Sequence, residues 1–199
     1  MRRRAKRATY DREIVFAILD EALIASVAVN IDGQPHVQPM IHVRLDDGLI
    51  LHGLASNRLL SAIASGADAC INVAIIDALV FARRIEDHSM HYRSATVYGR
   101  GQLVEDEEEK ARLMEHVFAH LVKTDRLRHL PPLPSGYLGG TMVVQVPIDE
   151  AVGKVNEGVA TDEGPEGIWS GIVPVGVQRM EPVPDERTVA EGIGRGAPE

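Results

Sequence analysis

Apolar residues along positions 23–53 fall into three short runs, LIASVAVNI, QPHVQPMIHVRL and LILHG, which read as three strands. Asp32-Gly33 and Asp47-Gly48 separate them, and both pairs are hairpin signals because glycine accepts the positive φ that such turns demand. Ahead of the strands, TYDREIVFAILDEA predicts a helix with Ile14, Phe16, Ala17 and Ile18 as apolar positions and Thr9 or Asp11 as cap. After them, SNRLLSAIASG predicts a short helix capped by Ser56 or Asn57, with Leu59, Leu60 and Ile63 facing inward and Gly66 ending it. ACINVAIIDALVFARRI is a near-continuous apolar stretch and reads as a pair of strands around Asp77. HSMHYRSATVYGRG then opens a long strand reaching about Val104, with Ser94, Thr96 and Tyr98 on one face and Ala95, Val97 and Gly99 on the other.

EDEEEKARLMEHVFAHLV predicts a helix whose acidic first turn suits the helix dipole and whose Leu113, Met114, Val117, Phe118, Leu121 and Val122 form one stripe. KTDRLRHLPPLPSGYLGG is loop, broken by Pro131, Pro132 and Pro134. TMVVQVPI and AVGKVNEG are two further strands. Short strands joined by tight turns imply an antiparallel sheet, mainly β with flanking helices, curled into a barrel. The expected division is a basic disordered arm over 1–8, one domain over 9–176 and a disordered tail over 177–199.

Composition narrows the function. The 199 residues carry a net charge of −8, which argues against nucleic-acid binding despite the basic MRRRAKR arm. No apolar run approaches a bilayer span and no secretory apolar region follows the arm, so the expected location is the cytoplasm. A single cysteine, Cys70, reads as a buried small hydrophobe without a positive partner to activate it. His116 and His120 have zinc-compatible spacing, but both border the apolar stripe and no metal site is expected.

Two stretches carry candidate binding chemistry. In LHGLASNR a strand ends at His52-Gly53 and a helix starts near Ser56-Asn57, with Arg58 in its first turn. That combination offers main-chain N–H groups, hydroxyl and amide donors and a guanidinium to a phosphate. In HSMHYRS, Arg93 and Ser94 can donate to carbonyl or phosphate oxygens, and His88, His91 and Tyr92 can line a pocket. There is no Gly-rich phosphate loop and no nucleophile elbow, which points to a cofactor supplying the chemistry.

Taken in order, YDREIVFAILDEA, DGQPHVQPM, LHGLASNRLL, DHSMHYRSATVYGRG, DEEEKARLMEHV and IWSGIVPV resemble the flavin-nucleotide-binding, nitroimidazole-resistance-like branch of the pyridoxamine 5′-phosphate oxidase-like family, from about Tyr10 to Val175. The resemblance implies an FMN-binding split β-barrel and a homodimer with FMN in the groove between subunits. It implies that His52, Gly53, Ser56, Asn57 and Arg58 grip the ribityl phosphate. The strand bearing Met40, Ile41 and His42 would back the isoalloxazine ring, Ser94 with Arg93 would meet the cofactor, and Trp169 would lie near the barrel end.

Where the oxidase proper has two basic residues this chain has His42 and Leu59, and no pyridoxal-phosphate specificity segment follows Pro174, which argues against pyridoxamine-phosphate oxidation. The expected activity is that of an FMN-dependent oxidoreductase acting on a small planar substrate, with His88 or His91 exchanging protons if an acid or base is used. The alternatives are a flavin-sequestering protein and a relative that uses heme or a deazaflavin.

Overall fold

The computed structural model describes residues 7–123, 125–158 and 163–192. In chain order the elements are β1 (Ala8–Thr9), α1 (Arg12–Glu21), β2 (Ile24–Ile31), β3 (Gln34–Leu45), β4 (Gly48–Leu54), α2 (Arg58–Ala64), β5 (Asp68–Phe81), β6 (Ser89–Arg100) and β7 (Gln102–Leu103). They continue with α3 (Glu107–Val122), α4 (Ser135–Gly139), β8 (Thr141–Pro147), β9 (Glu150–Asn156), β10 (Gly171–Pro174) and α5 (Glu186–Ala190). Strand pairing is antiparallel, in the order β1-β9-β6-β5-β2-β3-β4-β8-β7 with β10 on β5. The sheet does not close on itself, and the architecture is a split barrel.

The split is made by β3. Its residues 34–41 pair with β2, and its residues 42–45 pair with β4. The strand changes partner between Ile41 and His42, so two half-sheets meet at that corner. Both hairpins feeding it are two-residue turns. Asp32 and Gly33 adopt φ of 55° and 81°, the left-handed pair expected of a type I′ turn. In the second hairpin Asp46, at φ 50°, takes the left-handed position, not Gly48. Gly48 opens β4, where a Cβ would come within 2.6 Å of the Gln145 amide.

Inside the barrel, Val27, Val29, Ile71, Val73, Ala95 and Val97 are buried together with side chains of two helices: Ile18 and Leu19 from α1, and Leu59, Leu60 and Ile63 from α2. Each such large aliphatic side chain stabilises the fold by about 1.5–3 kcal/mol as an upper figure. A second cluster lies under α3, where Leu113, Met114 and Val117 cover Val43, Ile50 and Val143. Caps close the helices as their sequences ask: Asp11 accepts from Glu13 N–H, Asn57 from Leu60 N–H, and Asp106 from Glu109 N–H.

Two expectations change. The apolar stretch around Asp77 is one 14-residue strand, β5, and Asp77 sits at an irregularity in the β5–β6 register rather than between two strands. The 123–140 segment is not all loop, since it contains a 3-10 turn at Asp125–His129 and α4. Most of the expected basic arm lies outside the described residues, while Ala8 and Thr9 pair with β9. Of the expected tail, residues 177–192 are described: the Arg179 guanidinium donates to the Val122 carbonyl, and α5 forms one exposed turn.

Candidate functional site

The change of partner along β3 leaves a cleft. β4 continues to Leu54, but its ladder with β3 stops at the pair His42–Leu51. Over residues 38–41 on one wall and 52–53 on the other, alternate main-chain N–H and C=O groups face the cleft with no strand partner among the described residues. The result is a groove of about 410 Å³ lined by Gln38, Pro39, Met40, Ile41, His52, Gly53 and Asn57.

The floor is fixed by α2. Asn57 holds the helix N-terminus with its Oδ1, and its Nδ2 donates to Gln38 Oε1 at 3.2 Å, tying the helix to β3. A side chain at Gly53 would crowd the helix: a Cβ would stand 3.0 Å from Leu60 Cδ1 and 3.7 Å from Met40 Cε. His52 is half-buried, its Nδ1 has no hydrogen-bond partner among the described residues, and burial pushes its imidazole below the ordinary value. Ser56 is exposed in the turn before the helix. Arg58 is exposed too, and its guanidinium reaches Asp32 in the β2–β3 turn at 2.9 Å.

His42 is fully buried at the corner. Its Nε2 faces the Leu19 carbonyl at 3.0 Å; a carbonyl only accepts, so Nε2 carries the proton and Nδ1 is a buried lone pair without a donor. Burial first, then the neighbouring His120, keep this imidazole below its ordinary value. The structure therefore gives His42 a place in the α1 packing, while Met40 and Ile41 line the groove.

The other sequence-predicted residues form a separate group. β5 and β2 stand between β6 and β3, a separation of three strand spacings or about 14 Å. Arg93 on β6 grips Asp77 through Nε and Nη2 and Glu21 at the end of α1 through both terminal nitrogens. Those contacts hold both carboxyls below their usual range and the guanidinium well above its own. Ser94 is half-buried on the outward face, paired with Ala74 and Lys154. His91 lies opposite Ala78, and its charge acts on Asp77. His88 Nδ1 donates to the Arg84 carbonyl at 3.1 Å. Trp169 is 64% exposed and packs edge-on against Phe81, which also meets His88.

Sequence reasoning missed Gln38 and Pro39 in the groove and Asp32 beside Arg58. Gln38 shares its strand face with Met40, a period-2 signal that was open to reading; Asp32 had only its turn role to mark it.

Such a groove suits a flat ring with polar edges, which main-chain groups can hydrogen-bond while the exposed Pro39 covers a face; Met40, on the opposite face of β3, is buried in the core. Residues 11–155 match the pyridoxamine 5′-phosphate oxidase family. The flavocytochrome Anf3 from Azotobacter vinelandii is 32% identical, with a TM-score of 0.85 over 94% of this chain and 88% of its own. The FAD and heme binding protein from Mycobacterium smegmatis is 28% identical, with a TM-score of 0.84 over 90% of this chain and 89% of its own. A candidate 5-nitroimidazole antibiotic resistance protein from Bacteroides thetaiotaomicron shares the fold, at 21% identity and a TM-score of 0.64 over 85% of this chain and 90% of its own. Among curated proteins none matches. With the match spanning the helix, the split and both half-sheets, this chain belongs to the pyridoxamine 5′-phosphate oxidase family.

Proposed function

We propose that this chain is a flavin-binding redox protein that holds the flavin in the groove between β3 and β4 and takes heme as a second group. The observation that carries the flavin reading is the parting of β3 from β4, which leaves main-chain groups free beside the unpartnered Nδ1 of His52 and the side-chain-free surface of Gly53. Likeness to a flavocytochrome and to an FAD and heme binding protein supports it.

Flavin, when bound, supplies one- and two-electron transfer between a reduced donor and a small acceptor. The chain's own part is positioning. Met40 and Ile41 present their main chain to the ring edge, and Asn57 and Gly53 shape the turn beneath it. Arg58 serves the phosphate; its exposed pair with Asp32 is weak enough for a phosphate to displace. We propose FAD as the form bound, since FAD contains the FMN moiety that the sequence pointed to and is named for the Mycobacterium smegmatis protein. The second wall of the groove comes from a second copy of the chain, and proton exchange falls to His91.

The freshly purified protein should be yellow, and FMN and FAD titrations should both saturate, FAD at the lower concentration. Protein that stays colourless with either nucleotide overturns the reading. Bleaching of the bound flavin by NADH or NADPH marks an oxidoreductase, and bound flavin that neither reduces marks a sequestering protein.

A further inference from the structure

The heme half of that reading needs an axial ligand, and we propose that His88 is that ligand, with the porphyrin seated against the exposed Phe81–Trp169 face beside it. The inference rests on the proposed heme binding and goes beyond it by naming the ligand and its surface. A metal-binding imidazole commonly donates one ring N–H to a carbonyl or carboxylate, which fixes the tautomer and aims the other nitrogen outward. His88 has that arrangement. Its Nδ1 lies 3.1 Å from the Arg84 carbonyl, so in the neutral ring Nδ1 carries the proton and Nε2 keeps its lone pair. The residue sits immediately before β6, where the chain leaves its 3-10 turn at Ile85–Asp87.

Beside it stands an exposed aromatic pair, next to a turn that also carries the exposed Arg84 and Glu86. Phe81 lies 5.8 Å from the His88 ring and 6.1 Å from the Trp169 ring. Trp169 packs over Gly171, where a Cβ would come within 2.9 Å of the indole, and β10 pairs that glycine with Phe81 of β5. Ile85 and Met90, on either side of His88, are 87% and 43% exposed. A porphyrin with apolar faces and charged propionates at its edge would cover such a surface with its iron toward Nε2. Arg84 makes a 3.1 Å ion pair with the exposed Glu163, and a propionate can compete for it there.

Four other histidines are less suited. His42 and His120 spend Nε2 on the carbonyls of Leu19 and Ala22. His52 has a buried Nδ1 without a hydrogen-bond partner among the described residues, so nothing orients its ring through that atom. His116 makes the same main-chain contact as His88, to the Arg112 carbonyl at 2.8 Å, but its neighbours on α3 are the Arg112–Glu109 ion pair. It is therefore the matched control.

The experiment titrates hemin into the full chain and reads the Soret band. Wild type and His116→Ala should both show the band shift of an imidazole-ligated heme. His88→Ala should lose that shift, regain it when free imidazole is added, and keep its flavin content, which separates ligand loss from unfolding. Trp169→Ala should keep the shift but need at least several-fold more hemin. An unchanged shift in His88→Ala, or its loss in His52→Ala instead, overturns the assignment while the heme reading stands. A wild-type protein that produces no shift removes the heme reading itself, and this ligand with it.

Discussion

Arg58 and Arg93 show how far setting governs what one side chain does. Arg58 is two-thirds exposed and meets one carboxylate, so Arg58→Ala should leave folding stability within about 0.5 kcal/mol of wild type. If its guanidinium serves a phosphate, the same substitution removes a charge-assisted bond of about 1.5–3 kcal/mol, weakening FMN and FAD binding by one to two orders of magnitude. Riboflavin, without the phosphate, should bind as before, and parallel titrations of the three ligands check this. Arg93 is only 29% exposed and joins Asp77 to Glu21. Arg93→Met leaves those two carboxylates facing each other and should cost about 1–2 kcal/mol at neutral pH, discounted for the exposure of Glu21. Both carboxyls are held low by the guanidinium, so their contribution is complete above the ordinary carboxylate range and is lost as pH falls through the lowered values. Urea unfolding should therefore show the gap between wild type and Arg93→Met closing in acid. Sequence singled out Arg93 as a ligand donor because it stands beside Ser94; its partners lie 16 and 72 residues away, and only the register of β5 on β6 and the end of α1 bring them to it.

At the scale of elements, α1 is closed by two imidazoles. Its last turn has no basic residue, and His42 from β3 and His120 from α3 point at the carbonyls of Leu19 and Ala22. Burial lowers both imidazoles below the ordinary value of 6.5; His120 further lowers His42, Lys123 lowers His120, and Asp20 opposes on both. The unfolded chain thus takes up protons more readily, so this contribution is full above 6.5 and is lost as pH falls through the lowered folded values. Melting temperature should drop between about pH 7.5 and about pH 5.5, and His120→Gln, which keeps a donor without a titrating ring, should flatten that drop. A midpoint that is constant over the same range in wild type would refute the clamp. The elements themselves were largely legible, because hairpin turns, caps and apolar stripes are local signals: β2, β3, β4, α1, α2 and α3 stand where the pattern put them. The errors are equally physical. Asp77 looked like a break because a lone carboxylate interrupts an apolar run, but a bulge lets it turn out to Arg93 while the strand continues. The groove was legible only as a list of residues; the partner change of β3 that opens it is a property of the sheet, not of any segment.

At the scale of the whole molecule, the described residues leave part of one sheet face uncovered. Pairing places Val37, Ala28, Cys70 and Tyr98 in one row across β3, β2, β5 and β6, with Ile24 on the same face of β2. Val37, Ile24 and Tyr98 are 62%, 59% and 44% exposed, which is costly for an isolated chain and expected of a face that meets another protein surface. Pro39 and Ile41, outward on the same stretch of β3, also line the groove, so whatever covers the face also walls the cleft. On the proposed reading a second copy would do both at once, and it would carry the β6 group toward the proposed flavin, from which β6 of the same chain is separated by β5 and β2. Val37→Glu tests this cleanly, because an exposed position can take a charge without disturbing the core. Wild type should run as a dimer by light scattering, and the variant should fold with an unchanged far-UV spectrum, run as a monomer, and lose bound flavin in proportion to lost dimer. The two losses must travel together, since the groove then lacks its second wall. A wild-type monomer that retains one flavin per chain, or a monomeric Val37→Glu that retains it, would place the complete site within a single chain and remove the second copy from the mechanism.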